Sequence, residues 1–237
     1  ESGGQGPEGR PGGNPRQGWR PGRQPGWQPG GPRPRAFKVP RAILMLLGAM
    51  LVLHLLRVTL PQGEANALTF TLALIIFDHG QALDPARFYT LVTHAFLHAN
   101  WLHLFLNGLW LLLLGSRLHQ ELGAGRFLVF FLLTAVGGAA AQILLDWGQF
   151  AVMIGASGVV FGLLGAGGHL WVLQPGDRGL ERVKKIAWYC AVMMVLNLGY
   201  AMVGGFGGVD RIAWEAHAGG FFVGLAVFPL LRSPPAA

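Results

Sequence analysis

The sequence predicts an all-α membrane protein, a six-transmembrane-helix bundle with a long outer loop between its first and second helices. Two observations carry that prediction. Of 237 residues, 52% are hydrophobic and only 12% charged, far below the roughly 25% charge of a soluble globular domain. The chain also holds six apolar runs of the length a bilayer requires, about 20 residues each. The formal charge of +7 is concentrated in the first forty positions and a few short loops. That is the pattern of membrane orientation, and no nucleic-acid partner is expected from it. The single cysteine, Cys190, excludes an intrachain disulfide framework and sits in an apolar run, where a small buried side chain is expected.

Residues 1–40 are Gly, Pro, Arg and Gln with almost no aliphatic side chains, so they bury too little apolar surface to offset their ordering entropy. A disordered, basic Gly/Pro/Arg-rich cytoplasmic tail is expected there. It is either solvated or in contact with anionic lipid, which attracts each basic side chain by about 1 kcal/mol near the surface. No small-residue cleavage site interrupts the step into the first apolar run, so the tail does not read as a secretory signal. Spans are predicted at 42–60, 100–117, 127–145, 152–173, 186–204 and 212–231, giving a core over 41–232 and a short C-terminal tail at 233–237. The apolar run 68–77 is too short to cross and reads as an interfacial or re-entrant helix.

If the spans alternate, the basic residues before 42 fall on one side with Arg117, Arg126, Arg178, Arg182, Lys184, Lys185 and Arg232. Only Arg57, Arg87 and Arg211 fall on the other. The positive-inside tendency then places both termini in the cytoplasm and the connections 61–99, 146–150 and 204–211 outside. Trp101, Trp147, Trp171, Trp188 and Trp214 stand near span ends, as interfacial anchors do.

On this topology, polar residues collect at one membrane level. Ser157 lies a few residues into the fourth span from its outer end, in the run Gly155-Ala156-Ser157-Gly158, just after Trp147 and Gln149. Small residues of this kind also serve as packing surface between membrane helices, so the serine gains meaning only from its neighbours. The second span opens with His94, His98, His103 and Asn107, of which the last two are four apart and share one helix face. His94 and His98 precede the apolar run and are expected to order the outer connection by hydrogen bonds. The sixth span opens with Trp214, Glu215 and His217, followed by Gly220 and Gly224. Gly158, Gly162 and Gly165 offer a matching surface on the fourth span, so the two helices can approach at backbone distance and bring imidazole to hydroxyl. A serine hydroxyl is a poor nucleophile alone, and a neutral histidine beside it can take its proton. Glu215 is two residues from His217 and points away from it on a helix, which favours a dyad over a triad. His103 and Asn107 are then candidate donors to the oxyanion of an acyl-transfer intermediate. His54, Gln142, His169 and Asn197 read as interhelical hydrogen-bond partners; His79 and His119 are expected in loops.

Taken together, Gly155-Ala156-Ser157-Gly158, the A-H-x-x-G-x-x-x-G run at 216–224 and the H-x-x-x-N run at 103–107 resemble the rhomboid intramembrane serine proteases across 41–232. The resemblance implies a rhomboid-like bundle, with Ser157 as nucleophile and His217 as general base and acid. It implies an oxyanion hole of His103, Asn107 and the Ser157 backbone N–H, with support from Gly155, Gly158, Phe161, Gly220 and Gly224. It also implies single-pass membrane protein substrates, cleaved near the outer face of the lipid bilayer, with no metal or cofactor. The expected location is a bacterial inner (cytoplasmic) membrane. Two positions depart from the family pattern. Phe88-Tyr89-Thr90 stands where a Trp-Arg pair is common in the first outer loop. Phe161 replaces a tyrosine that some relatives stack on the histidine, keeping the ring and losing the hydroxyl.

Two rivals are distinguishable. A metal-dependent membrane hydrolase with His94, His98, His103 and His217 as ligands is disfavoured, because no carboxylate accompanies them at ligand spacing and H-E-x-x-H is absent. A catalytically silent rhomboid-like binder of transmembrane segments is disfavoured by the retention of both Ser157 and His217. Substrate is expected to reach the serine laterally, with the fifth span and the glycine-rich connection 204–208 as the mobile element.

Overall fold

A computed structural model describes residues 38–76, 85–145, 150–202 and 213–232. The expectations placed on residues 1–37, His79, Trp147, Gln149, Arg211, the 204–208 connection and 233–237 lie outside the described residues.

Prolines punctuate the start of the bundle. Helix α1 (Arg41–Thr59) begins directly after Pro40 and stops as Leu60, which precedes Pro61, turns extended at ψ 152°. This is the conformation a following proline imposes. Helix α2 (Gln62–Leu72) starts immediately after Pro61. The chain then enters strand β1 (Leu74–Ile76), so the apolar run at 68–77 is helix only in its first half. Leu74-Ile75-Ile76 is leucine and β-branched sequence, and it pairs antiparallel with β2 (Ala151–Met153), Ile75 facing Val152. This two-stranded sheet is a departure from a purely helical prediction.

After the one-turn helix α3 (Thr90–Thr93), α4 (Trp101–Leu122) is capped by Asn100, whose side chain accepts the His103 backbone N–H at 2.8 Å. It widens into a π turn at Leu111–Gly115 and ends at Gly123, φ +75°. Helices α5 (Ala124–Leu145), α6 (Ser157–Val172), α7 (Gly179–Met202) and α8 (Trp214–Leu231) follow. The fourth predicted span, 152–173, is therefore corrected at its start. Its first residues are strand, and Ser157 is the first helical residue rather than one a few positions inside. Among the described residues five helices, α1, α4, α5, α7 and α8, are long and apolar enough to cross a membrane, and α6 is shorter.

The core divides by side-chain size. Between α1, α4 and α5, large side chains interlock, with Ile43, Met50, Leu111, Leu118, Phe127, Phe130 and Phe131 buried. Around α6 and α8 the contact is instead backbone to backbone. A Cβ added at Gly220 would lie 1.9 Å from the Gly158 carbonyl oxygen, and one at Gly224 would lie 2.1 Å from that of Gly162. Helix α5 meets the other side of α8 the same way, a Cβ at Gly219 falling 2.4 Å from the Gly137 oxygen. Lipid competes equally well for apolar side chains, so such close van der Waals packing is what holds membrane helices together.

The connection between α2 and α4 is tied down by Tyr89, from the Phe88-Tyr89-Thr90 stretch, together with Arg87 and Thr93 on either side of it. The last carbonyls of α2 have no partners within their own helix. Tyr89 donates its hydroxyl to Thr71 O at 3.0 Å, Thr93 donates to Leu72 O at 2.8 Å, and Arg87 donates to Phe70 O and Ala73 O. The Arg87 guanidinium also lies 4.8 Å from the centre of the Phe70 ring. One turn and one cation–π contact thus anchor the loop through α2.

Candidate active site

Strand β2 delivers the chain to Gly155, whose φ of +120° is open only to glycine without strain. Space makes the same demand. A Cβ there would fall 2.7 Å from Cε1 and 2.8 Å from Nε2 of His103, so the imidazole of α4 rests against the turn that precedes Ser157. The turn is pinned from behind, where the Gly155 N–H donates to His94 O at 2.9 Å. His94 itself is fixed through Nδ1 to Thr90 O at 2.8 Å. Burial pushes the His94 imidazole down to about 4, the Thr90 bond pulling the other way. His98 is pushed down to about 3, by burial first and then by the field of His103. Its carbonyl collects Arg57 and His54 Nδ1, which accounts for the two polar residues in the last turns of α1 that reach across to it. His94 thus orders this connection through its ring, whereas His98 does so through its backbone carbonyl and not through its imidazole.

Ser157 is half-buried at the first position of α6. The N–H groups of a helix's first turn have no carbonyl one turn earlier, and the dipole's positive end lies there. One turn on, Phe161 lies flat on His217 of α8, with centroids 4.3 Å apart and planes within 5°. Residues four apart share a helix face, so Ser157 and the buried His217 stand at the same side of the α6–α8 seam. Gly158 and Gly220 allow that approach.

His103 comes to that turn from α4, and Asn107 stands four residues on along the same helix. His103 Nδ1 faces the Ala99 N–H at 3.4 Å, a long contact in which that nitrogen accepts. The Nε2 edge, toward Gly155, is then the protonated one. Asn107 is buried and spends one amide hydrogen on His103 O at 2.9 Å, which keeps a second.

Sequence reasoning treated Asn197 as an interhelical partner without saying whose. Its Oδ1 lies 3.0 Å from His217 Nδ1, while its Nδ2 donates to Trp214 O at 2.9 Å. Tyr200, three residues further along α7, brings its ring centre to 6.5 Å from that of His217. An amide and a phenol at i and i+3 near a span end were the available signal. His169 likewise bridges helices, Nε2 lying 2.8 Å from Leu225 O. Glu215, at the start of α8, is also buried. Among the described residues no group of three or more His, Cys, Asp or Glu side chains is arranged to hold a metal ion.

A helical membrane bundle that gathers serine, histidine and amide groups at one end of a glycine seam defines a narrow class. The Rhomboid domain family model matches residues 85–234. This chain belongs to the rhomboid family. It is 33% identical over 156 residues to RHOMBOID-like protein 5 of Arabidopsis thaliana, covering 64% of this chain and 47% of that protein. It is 36% identical over 150 residues to rhomboid protease GlpG of Serratia proteamaculans (62% and 49%), and 34% identical over 136 residues to that of Yersinia pestis (56% and 45%). The chain spans about half the length of the curated relatives it matches. With the apolar helices above, family membership makes it an integral multi-pass membrane protein.

Proposed function

We propose that this chain is an intramembrane serine endopeptidase that cleaves single-pass membrane proteins near the outer face of the bilayer. Ser157 Oγ attacks the peptide carbonyl while His217 takes its proton, and the oxyanion forms toward His103, Asn107 and the Ser157 N–H. His217 then passes the proton to the departing amine, leaving an acyl-serine. Water, deprotonated by His217, attacks the acyl-serine, releases the carboxylate product and restores the serine. The observation that carries this reading is the stack of His217 on Phe161, one turn from Ser157 along a seam where Gly220 meets the Gly158 backbone with no room for a Cβ. The resemblance of the chain to GlpG proteases supports it.

In this reading 41–232 is the protease core, substrate arrives laterally past α7, and both termini are cytoplasmic in a bacterial inner membrane. The basic 1–40 segment is a cytoplasmic tail, either solvated or in contact with anionic lipid, and 233–237 is a short second tail. The test is to incubate detergent-solubilised protein with a single-span substrate and with a fluorophosphonate, mapping the adduct by mass spectrometry. We expect the label on Ser157, and cleavage lowered at least ~1,000-fold in both Ser157→Ala and His217→Ala. A folded protein that binds the substrate but neither cuts it nor takes the label would make the chain a silent binder instead.

A further inference from the structure

We propose that Asn197 is a positioning residue that fixes the tautomer and ring orientation of His217. This rests on the reading of His217 as the base for Ser157.

The hydrogen-bond inventory settles which atom does what. Trp214 O can only accept, so the Asn197 atom 2.9 Å away is the amide nitrogen. The amide oxygen is thereby turned to His217 Nδ1, 3.0 Å away, and an amide oxygen cannot donate. The proton of that bond therefore sits on Nδ1, and Nε2, on the far edge of the ring, carries the lone pair. That is the tautomer a general base for Ser157 requires. The second constraint is orthogonal. Phe161 lies parallel to the ring and fixes its plane, but the stack is equally satisfied after a half-turn about Cβ–Cγ that exchanges Nδ1 with Cδ2. Asn197 acts in the plane and removes the flip.

Placement on α7 makes a purely packing role a poor account of this residue. Of the 24 residues of α7, Asn197 is the single buried one, and it is a polar amide. An amide in hydrocarbon is unfavourable unless its bonds are made, and both of the bonds it makes go to the first turn of α8. A carboxylate is the usual orienting group for a catalytic imidazole. Here a neutral amide takes that place, so the field that would raise the basicity of His217 is absent while the geometry is kept.

The experiment compares the parent chain with Asn197→Leu, of similar volume and no acceptor, and Asn197→Asp, which restores an acceptor and adds charge. For Asn197→Leu we expect kcat on a single-span substrate to fall roughly 10- to 100-fold, the loss typical of removing an orienting partner, with KM little changed. Asn197→Asp should recover part of that loss and move the acid limb of the kcat/KM profile to higher pH, because a carboxylate favours the imidazolium. A Leu variant with unaltered kcat, or an Asp variant with no shift of the acid limb, would overturn the proposal. A readout free of activity comes from the 15N shifts of His217 in the Ser157→Ala chain, where we expect Nδ1 protonated and Nε2 bare. An Nε2–H ring there refutes the positioning role even if no Asn197 variant folds. If Nδ1 is protonated but the parent chain neither cleaves nor takes a fluorophosphonate, the orientation stands and the protease reading falls. If the parent chain cleaves and Asn197→Leu leaves ring and rate alone, the reverse holds.

Discussion

Helices α6 and α7 both hold His217, and they do so by opposite means. Helix α6 meets α8 with bare backbone, glycine against glycine, and offers the imidazole a ring to lie on. Helix α7 buries one side chain, an amide that reaches the same imidazole edge-on, while Trp188, Val195, Leu196 and Leu198 stay exposed. The first attachment is spread along a whole seam and leaves no room for a Cβ at Gly165, Gly220 or Gly224. The second is concentrated in a few polar contacts and leaves the rest of the helix indifferent. Stability and base orientation are thus assigned to different helices, and each assignment can be broken separately.

The largest effect is expected at the seam. In Gly220→Val the first added carbon already falls 1.9 Å from the Gly158 oxygen, which is backbone and cannot rotate away. The helices must separate, and with them the packing that substitutes for hydrophobic attraction in lipid. A loss above about 4 kcal/mol is expected, on the scale of severe overpacking. It would be read as collapse of the folded fraction in a detergent-denaturant titration. A well-folded Gly220→Val protein would mean that α6 and α8 are not locked as described.

That seam was legible in the sequence because glycines four apart in an apolar run have few other uses, and the polar residues were legible because hydrocarbon makes them costly. Ser157, His217, His103 and Asn107 stood out for that reason, and the structure brings their elements together. The sheet was not legible. Leu74-Ile75-Ile76 and Ala151-Val152-Met153 are each three residues of apolar sequence beside helical runs, and a pair so short becomes visible only when its partner does. The start of α6 was misjudged by the same cause, since hydropathy cannot separate an extended apolar approach from the helix it leads into. Asn197 was seen as polar and buried, but its partner lies twenty residues on in another helix, which spacing alone does not reveal. Phe88-Tyr89-Thr90 marked a departure without saying what anchors the loop. Arg87, Tyr89 and Thr93 do so through carbonyls of α2, contacts that depend on where a helix ends.

Acid should weaken the outer side of the molecule before it touches the seam. His94 is buried and held neutral, its imidazole pushed down to about 4 by burial. The unfolded chain binds that proton from about pH 6.5 downward, while the folded chain resists until about 4. The contribution is complete above about 6.5, is lost through the window between those values, and changes no further once the folded state is also protonated. Its size is about 3 kcal/mol. His98, displaced in the same direction, adds to the slope. The unfolding midpoint should therefore decline from pH 7 to pH 4.5, and His94→Gln should flatten that decline. A parent curve level over this range would mean that the outer connection is not carried by a neutral imidazole.

The smallest effects belong to α7 and make the sharpest test of the contrast. Tyr189 donates its hydroxyl to Leu164 O at 2.7 Å, tying α7 to α6. Tyr189→Phe keeps the ring beside Phe221, 5.8 Å between centres, and deletes only that bond, for a cost of about 0.6 to 1 kcal/mol. Val195 is 69% exposed on the same helix. Its side chain meets lipid whether or not α7 is docked, so Val195→Ala removes contact area that docking never buried, and a change under about 0.5 kcal/mol is expected. Tyr189→Phe removes one heavy atom and Val195→Ala two, yet the smaller deletion is expected to cost more because its atom touches protein. Equal, sizeable losses in the same denaturant titration would mean that another surface covers Val195, either a further helix or a second copy of the chain. In that case α7 would be anchored along its length as α6 is, and the contrast between the two helices would fail.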